Sequence, residues 1–367
     1  MPSRRTGLLV AGVALAGALA VLLLRFGPAA SLSLALALPR AEPWIAPFLS
    51  TVSVEEVSVE VPGGRLVADL YRPAAPRGAL LLVHGLSRAG RRHPDLARLA
   101  RLLARHQRLV LVPQFEGLVA FRLGGREVDD VAAALGALAA RAPAVGVVGF
   151  SFGAGPALLA AARTPGLSLT ASFGGYAELD AVVTYLTTGT HAFAGRRYVE
   201  PQEEYNRWKL LALLVGFAED EHDRRRLGEI AERKLADPGA DTGPVEAGLG
   251  PGGRAILALV RNRREEAVAP LLAALPAGAR EAMQALSPLR VAPRLPGRLL
   301  IAHGMGDASI PFTESLRLAH ATSGRTDAVV LETFEHTGPR PLWQSLPGRL
   351  RDGARLVRLA EALLRDP

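Results

Sequence analysis

Val145-Gly146-Val147-Val148-Gly149-Phe150-Ser151-Phe152-Gly153-Ala154-Gly155-Pro156 joins a β-branched run to a small-residue segment that continues to Ala162. The first half reads as a buried strand and the second as a helix. Gly-x-Ser-x-Gly lies between them. A strand-to-helix turn of this kind holds its serine in a strained backbone conformation, with the Oγ lifted above the sheet. Side chains at Gly149 and Gly153 would collide across so sharp a bend. Pro156 falls in the first helical turn, where its missing N–H costs nothing. Amides at the helix start then face negative charge developing on an attacked carbonyl. The five letters alone also describe an ordinary tight βα turn, and the strand before and helix after separate the two readings. A dinucleotide fingerprint built on Gly153-Ala154-Gly155 fails, because Leu158 stands where its third glycine or alanine belongs.

Working outward, strands and helices alternate on both sides of this turn. Val54 to Val61 and Leu66 to Tyr71 alternate apolar and polar residues around Pro62-Gly63-Gly64, which predicts a β-hairpin. Gly78 to Val83, before His84-Gly85, is a continuous apolar strand of the type covered on both faces. His93 to Gln107 has helical spacing, with Leu96, Leu99, Leu102 and Leu103 on one face. Arg108 to Pro113 is the next strand and Val128 to Ala140 the next helix; Leu169 to Phe173 is a further buried strand. The rhythm resumes with a strand from Arg298 to His303, a helix from Glu314 to Ala321, a strand from Ala328 to Leu331 and a closing helix from Pro347 to Leu364. The expectation is an α/β fold with a mostly parallel central sheet and helices on both faces.

Between these halves, residues 181–292, the alternation gives way to helical and loop patterns, as in an inserted helical cap. Glu219-Asp220-Glu221-His222-Asp223 within it reads as a solvated helix start. No paired-histidine ligand motif accompanies it, so no metal is expected there.

At the other end, Arg4-Arg5 precede an unbroken run of apolar residues and glycine from Gly7 to Leu24. That length just spans a bilayer core and exceeds a signal-peptide core. A cleaved signal would end near Ala35-Leu36-Ala37, past Arg25 and Pro28, so an uncleaved transmembrane anchor is the better reading. Arg4 and Arg5 favour an inside N-terminus, which places the body of this single-pass membrane protein outside the cytoplasm. Ala29 to Leu38, too short to span, together with Trp44, Ile45 and Phe48 either lies along the membrane or docks onto the domain. The expected organisation is a tail (1–6), anchor (7–24), juxtamembrane linker (25–51), core (52–180), cap (181–292) and second part of the core (293–367).

A serine hydroxyl needs a neutral imidazole to take its proton and a carboxylate to orient that imidazole. In such sheets both come from loops at the C-terminal ends of later strands. Asp307 sits in His303-Gly304-Met305-Gly306-Asp307, directly after a buried strand, and His336 follows the final strand in Glu335-His336-Thr337-Gly338. Taken singly, Asp307 is an aspartate in a glycine-rich turn and His336 a loop histidine. In this order, each after its own strand, they make a catalytic constellation. Glu178 and Asp180 are reserve acids. Of two oxyanion donors, the Phe152 N–H supplies one and the loop after His84-Gly85, at Leu86, the other. His84 and His303 end strands before turns and read as structural.

These residues resemble the α/β-hydrolase superfamily from about Val52 to Pro367. The resemblance rests on the His84-Gly85 turn, the Gly149–Gly153 elbow, the Gly304–Pro311 acid loop and His336. The hairpin opening is similar to the dienelactone-hydrolase-like and prolyl-peptidase-like branch. The resemblance implies Ser151 as nucleophile, His336 as base and Asp307 as acid, with an acyl-enzyme intermediate and no cofactor. No HGGG-type loop follows His84, so a lipase-type oxyanion motif is absent.

Composition bounds the function. The 367 residues carry a net charge of +8, yet all but Lys209 and Lys234 of the basic residues are arginine, scattered among Ala, Leu and Gly as in high-GC bacterial coding. No basic run interleaved with aromatics appears, so nucleic acid is not an expected partner. With no cysteine, thiol catalysis, disulfides and thiolate metal sites are excluded. The expected activity is a serine esterase acting on a small acyl substrate, its anchor in membrane lipid. The same triad also serves acyl transfer or peptide cleavage, and the fold without turnover serves as a binding protein. Oligomeric state is left open.

Overall fold

Every residue of β3 (Gly78–Val83) and β4 (Arg108–Pro113) is buried, as continuous apolar strands must be when helices cover both sides. The computed structural model describes residues 25–322, 326–335, 338–339 and 346–365. The other strands are β1 (Val52–Val61), β2 (Gly64–Pro73), β5 (Val145–Phe150), β6 (Leu169–Phe173), β7 (Thr190–Phe193), β8 (Arg196–Val199), β9 (Arg298–Gly306), β10 (Thr326–Glu335) and β11 (Gly338–Pro339). Nine of them form one sheet in the order β1-β2-β4-β3-β5-β6-β9-β10-β11. From β4 to β10 all neighbours are parallel, while β1, β2 and β11 pair antiparallel at the edges.

Strand pleating sorts the core into two layers. Leu80 and Leu82 share one layer with Ala100 and Leu103 of the helix Pro94–Arg105 and Leu363 of the helix Leu346–Leu364. Leu81 and Val83 share the other with Val131 and Leu135 of the helix Gly125–Ala139. The eight-residue helix after the serine, Ala154–Ala161, is buried at every position. Its alanines and glycine let it lie close against the sheet.

The segment expected to link anchor and core does more than link. Residues 25–37 are helical, and Ala29, Leu32 and Ala35 are buried in the same layer as Leu96, Ala100 and Leu103. Ser31 Oγ lies 2.6 Å from His106 Nε2, and Arg25 pairs with Glu361 at 2.6 Å. Since His106 Nδ1 is 2.8 Å from the Leu102 carbonyl, Nδ1 carries the proton and Nε2 accepts from Ser31. Docking is therefore the outcome for Ala29–Leu38, whereas Trp44 and Phe48 are exposed at 81% and 88%. The expected transmembrane run, 7–24, lies outside the described residues; among the described residues no helix is long and apolar enough to cross a membrane.

Between β6 and β9 the chain runs through the helices Leu179–Thr188, Glu204–Val215, Glu221–Ala236, Pro251–Arg261 and Ala277–Ala285 with shorter turns between them. Helices and loops are as expected here; the β7–β8 hairpin is an addition. The acidic stretch at 219–223 is consumed by capping. Asp220 Oδ1 accepts the Asp223 N–H at 2.9 Å at the start of Glu221–Ala236. Asp223 accepts Gly250 N–H at 2.6 Å and Gly253 N–H at 2.7 Å at the start of Pro251–Arg261. Glu219 accepts Gly278 N–H at 2.8 Å at the start of Ala277–Ala285. Carboxylates at helix N-termini satisfy orphan amides and oppose the positive end of the dipole.

Candidate active site

Ser151 follows β5 directly and opens a single 3₁₀ turn, Ser151–Gly153, before the buried helix begins. Its φ is +51°, a left-handed conformation that costs a non-glycine residue about 1–2 kcal/mol. A Cβ at Gly149 would lie 2.4 Å from Ala154 Cα, and one at Gly153 would lie 2.1 Å from the His84 carbonyl oxygen. Both glycines are sterically required, and the His84-Gly85 turn packs directly on the elbow. That contact brings Leu86 and Phe152 to the edge of one pocket.

His84 is structural. Its Nδ1 is 2.9 Å from the Gly85 carbonyl and its Nε2 accepts the Phe115 N–H at 3.1 Å, so both nitrogens are committed in the neutral form. Burial pushes its pKa down to about 4, with the Gly85 hydrogen bond acting the other way.

Asp307 stands at the C-terminal edge of the sheet, one residue beyond β9, and is buried. Its Oδ1 accepts the N–H groups of Ser309 at 2.8 Å and Ile310 at 3.0 Å. Its Oδ2 lies 3.3 Å from His303 Nε2, and that nitrogen is also 2.9 Å from the Ile310 carbonyl. His303 Nδ1 is 2.7 Å from Ser315 Oγ, so His303 braces the acid loop from below. The Tyr185 hydroxyl lies 2.9 Å from both Glu200 Oε2 and the Asp307 carbonyl oxygen, which ties the acid loop to the cap. His303 is thus structural, as its place at a strand end suggests, though nothing in the sequence marks Asp307 as its partner or Tyr185 as a contact of that loop. The reserve acids sit elsewhere: Glu178 is 4.0 Å from Arg317 and Asp180 is exposed. His336 lies outside the described residues.

The helix Glu204–Val215 roofs the site. Asn206, Lys209 and Leu213 line the pocket from above, opposite Leu86, Phe152 and Ser309. Asn206 Nδ2 donates to the Ala308 carbonyl at 3.1 Å, so the roof is pinned to the acid loop. The pocket is tight, with a cavity volume of about 10 Å³, about one water molecule. A larger cavity of about 500 Å³ is lined by Glu219, Asp220, Asp223 and the Gly248–Gly253 stretch. It shares no lining residue with the pocket beside Ser151, and its carboxylates are spent on helix ends. Among the described residues no group of three or more metal-ligating side chains converges.

Glu314, on the helix that follows the acid loop, is fully buried. Its Oε2 accepts the N–H groups of Ala177 at 3.1 Å and Glu178 at 2.8 Å, while Arg317 Nε donates to Oε1 at 3.0 Å. Burial pushes its pKa from 4.5 up to about 7, against the lowering effect of these partners. A carboxyl whose folded pKa is raised favours the folded state fully below its unfolded pKa and loses that contribution as pH rises through the folded pKa. Unfolding free energy is therefore expected to fall by about 3 kcal/mol from this group between pH 4.5 and 7. Glu314→Gln keeps an acceptor for the two amides and should flatten that slope in urea titrations. An unchanged slope would reject the assignment.

No protein-family model matches the chain, and no curated protein matches it. Solved structures do. An α/β hydrolase, GrgF from Penicillium sp. sh18, is 14% identical over 84% of this chain and 99% of its own, with a TM-score of 0.50. An acylaminoacyl peptidase from Pyrococcus horikoshii is 13% identical over 88% of this chain, which spans 43% of the peptidase, also with a TM-score of 0.50. The esterase domain of a Rhodothermus marinus protein is 16% identical over 85% of this chain and 100% of its own, with a TM-score of 0.45. The sheet order, the strained serine turn after β5 and the two similarities at a TM-score of 0.50 agree: the chain has the α/β-hydrolase fold.

Proposed function

We propose that the protein is a serine hydrolase that cleaves a carboxylic ester or similar acyl bond, with Ser151 as nucleophile, His336 as base and Asp307 as acid. One observation carries this reading. Glu335, the residue before His336, is the register partner of Gly306, the residue before Asp307. Acid and base candidates thus follow paired positions at the end of adjacent parallel strands, on the edge where Ser151 also leaves its strand.

In this mechanism the Ser151 Oγ attacks the acyl carbon while its proton passes to the imidazole of His336, which Asp307 orients. Charge on the former carbonyl oxygen is met by the N–H groups of Phe152 and Leu86. The tetrahedral species expels the leaving alcohol, protonated by His336. Water then enters by the same route in reverse and releases the acid. A fluorophosphonate probe tests the proposal: it should label the purified protein at Ser151 alone. Absence of labelling would reject it.

Residues 7–24 are proposed to anchor the protein in a membrane with the catalytic part outside the cytoplasm. The apolar run supports this, as do exposed Trp44 and Phe48, aromatics of the kind found at bilayer interfaces. The full chain is expected to stay with membranes through alkaline carbonate extraction. Release into the supernatant would count against the anchor.

A further inference from the structure

The pocket beside Ser151 is lined mostly by hydrocarbon, from Leu86, Phe152 and Leu213 among others. Asn206 and Ser309 are its neutral polar members, and Asn206 already donates to the Ala308 carbonyl. Lys209 is the one charged residue among those lining it. It lies on the helix Glu204–Val215, whose neighbours Trp208 and Leu210 are buried. Among the described residues its ammonium has no hydrogen-bond or ion-pair partner, and it lies 5.6 Å from the centroid of the Tyr205 ring. A lysine on a surface helix would extend its head to water. Lys209 is instead half-buried and lines a small, largely apolar chamber that Phe152, the residue after Ser151, also lines.

We propose that Lys209 receives a carboxylate carried by the acyl part of the substrate, so that the enzyme prefers half-esters of dicarboxylic acids to neutral esters of the same length. This rests on the hydrolase reading above and names its substrate class. An ammonium held in a largely apolar site without a counter-ion is costly, and a substrate anion that enters the same site removes that cost. The titration behaviour fits: burial holds the Lys209 ammonium below its ordinary pKa, and only the more distant Asp307 opposes the shift. Asp307 is itself held by the Ser309 and Ile310 amides and by His303, so it does not close on Lys209. A neutral acyl chain would leave the ammonium uncompensated.

The test compares mono-p-nitrophenyl adipate with p-nitrophenyl hexanoate, two esters of equal acyl length that differ by one carboxylate. The readout is the ratio of kcat/KM for the charged ester to that for the neutral one, in wild type, Lys209→Met and Lys209→Arg. Lys209→Met is expected to lower the ratio about 10- to 100-fold, and Lys209→Arg to retain most of it. A merely structural role would lower both rates together and leave the ratio where it was; that result overturns the assignment. So does a wild type that prefers the neutral ester. Turnover of neither ester by wild type would instead overturn the hydrolase reading, and this inference with it.

Discussion

Ser151→Ala is expected to lower kcat for an activated ester by about 10⁴-fold or more and to abolish fluorophosphonate labelling. The expected loss is large because, in the proposed mechanism, the hydroxyl forms the covalent intermediate and no neighbouring group makes that bond in its place. Ser309 lines the same pocket and is the control. Ser309→Ala should still label, since the Ser309 hydroxyl has no strained turn to present it and its amide is committed to Asp307. Alanine at 151 inherits the φ of +51° and loses no backbone contact, so thermal unfolding should shift little. Retained labelling in Ser151→Ala, with loss in Ser309→Ala, would move the nucleophile to the acid loop.

Asp307→Asn is expected to cost about 10⁴-fold in kcat with the fold intact. The asparagine Oδ1 can keep accepting from Ser309 and Ile310, the two amides that fix the loop. Its amide nitrogen then replaces Oδ2, 3.3 Å from His303 Nε2, where it can accept nothing. An imidazole that needs a carboxylate to hold its tautomer and stabilise its cation finds a donor instead. Circular dichroism and melting temperature should stay near wild type while kcat collapses. Activity within tenfold of wild type would show that the orienting acid lies elsewhere.

Local chemistry was legible in the sequence, and chemistry that depends on distant parts of the chain was not. The turn at Ser151 could be read because two glycines, a strand and a helix sit within a dozen residues, and each constrains the next. The β1–β2 hairpin was equally legible, since Pro62-Gly63-Gly64 punctuates two alternating runs. The β7–β8 hairpin was hidden because Ala194, not Asn or Asp, precedes Gly195, although both take positive φ. Leu32 of the docked N-terminal helix sits between Ser31 and Ser33, but leucines and alanines fall on every face of the helix, so the pattern does not single out its buried face. In the sequence nothing sets Glu314 or Lys209 apart from other charges on helical stretches. Only the partners brought by folding, from Ala177 to the roofed pocket, give them their character.

Within five consecutive residues, Glu219, Asp220 and Asp223 plug the amide ends of three different cap helices. One short segment therefore works as a keystone. The three helices cannot loosen one at a time, because whatever displaces that segment uncaps all of them together. Those three helices of the cap should accordingly come away as a block, without piecemeal fraying.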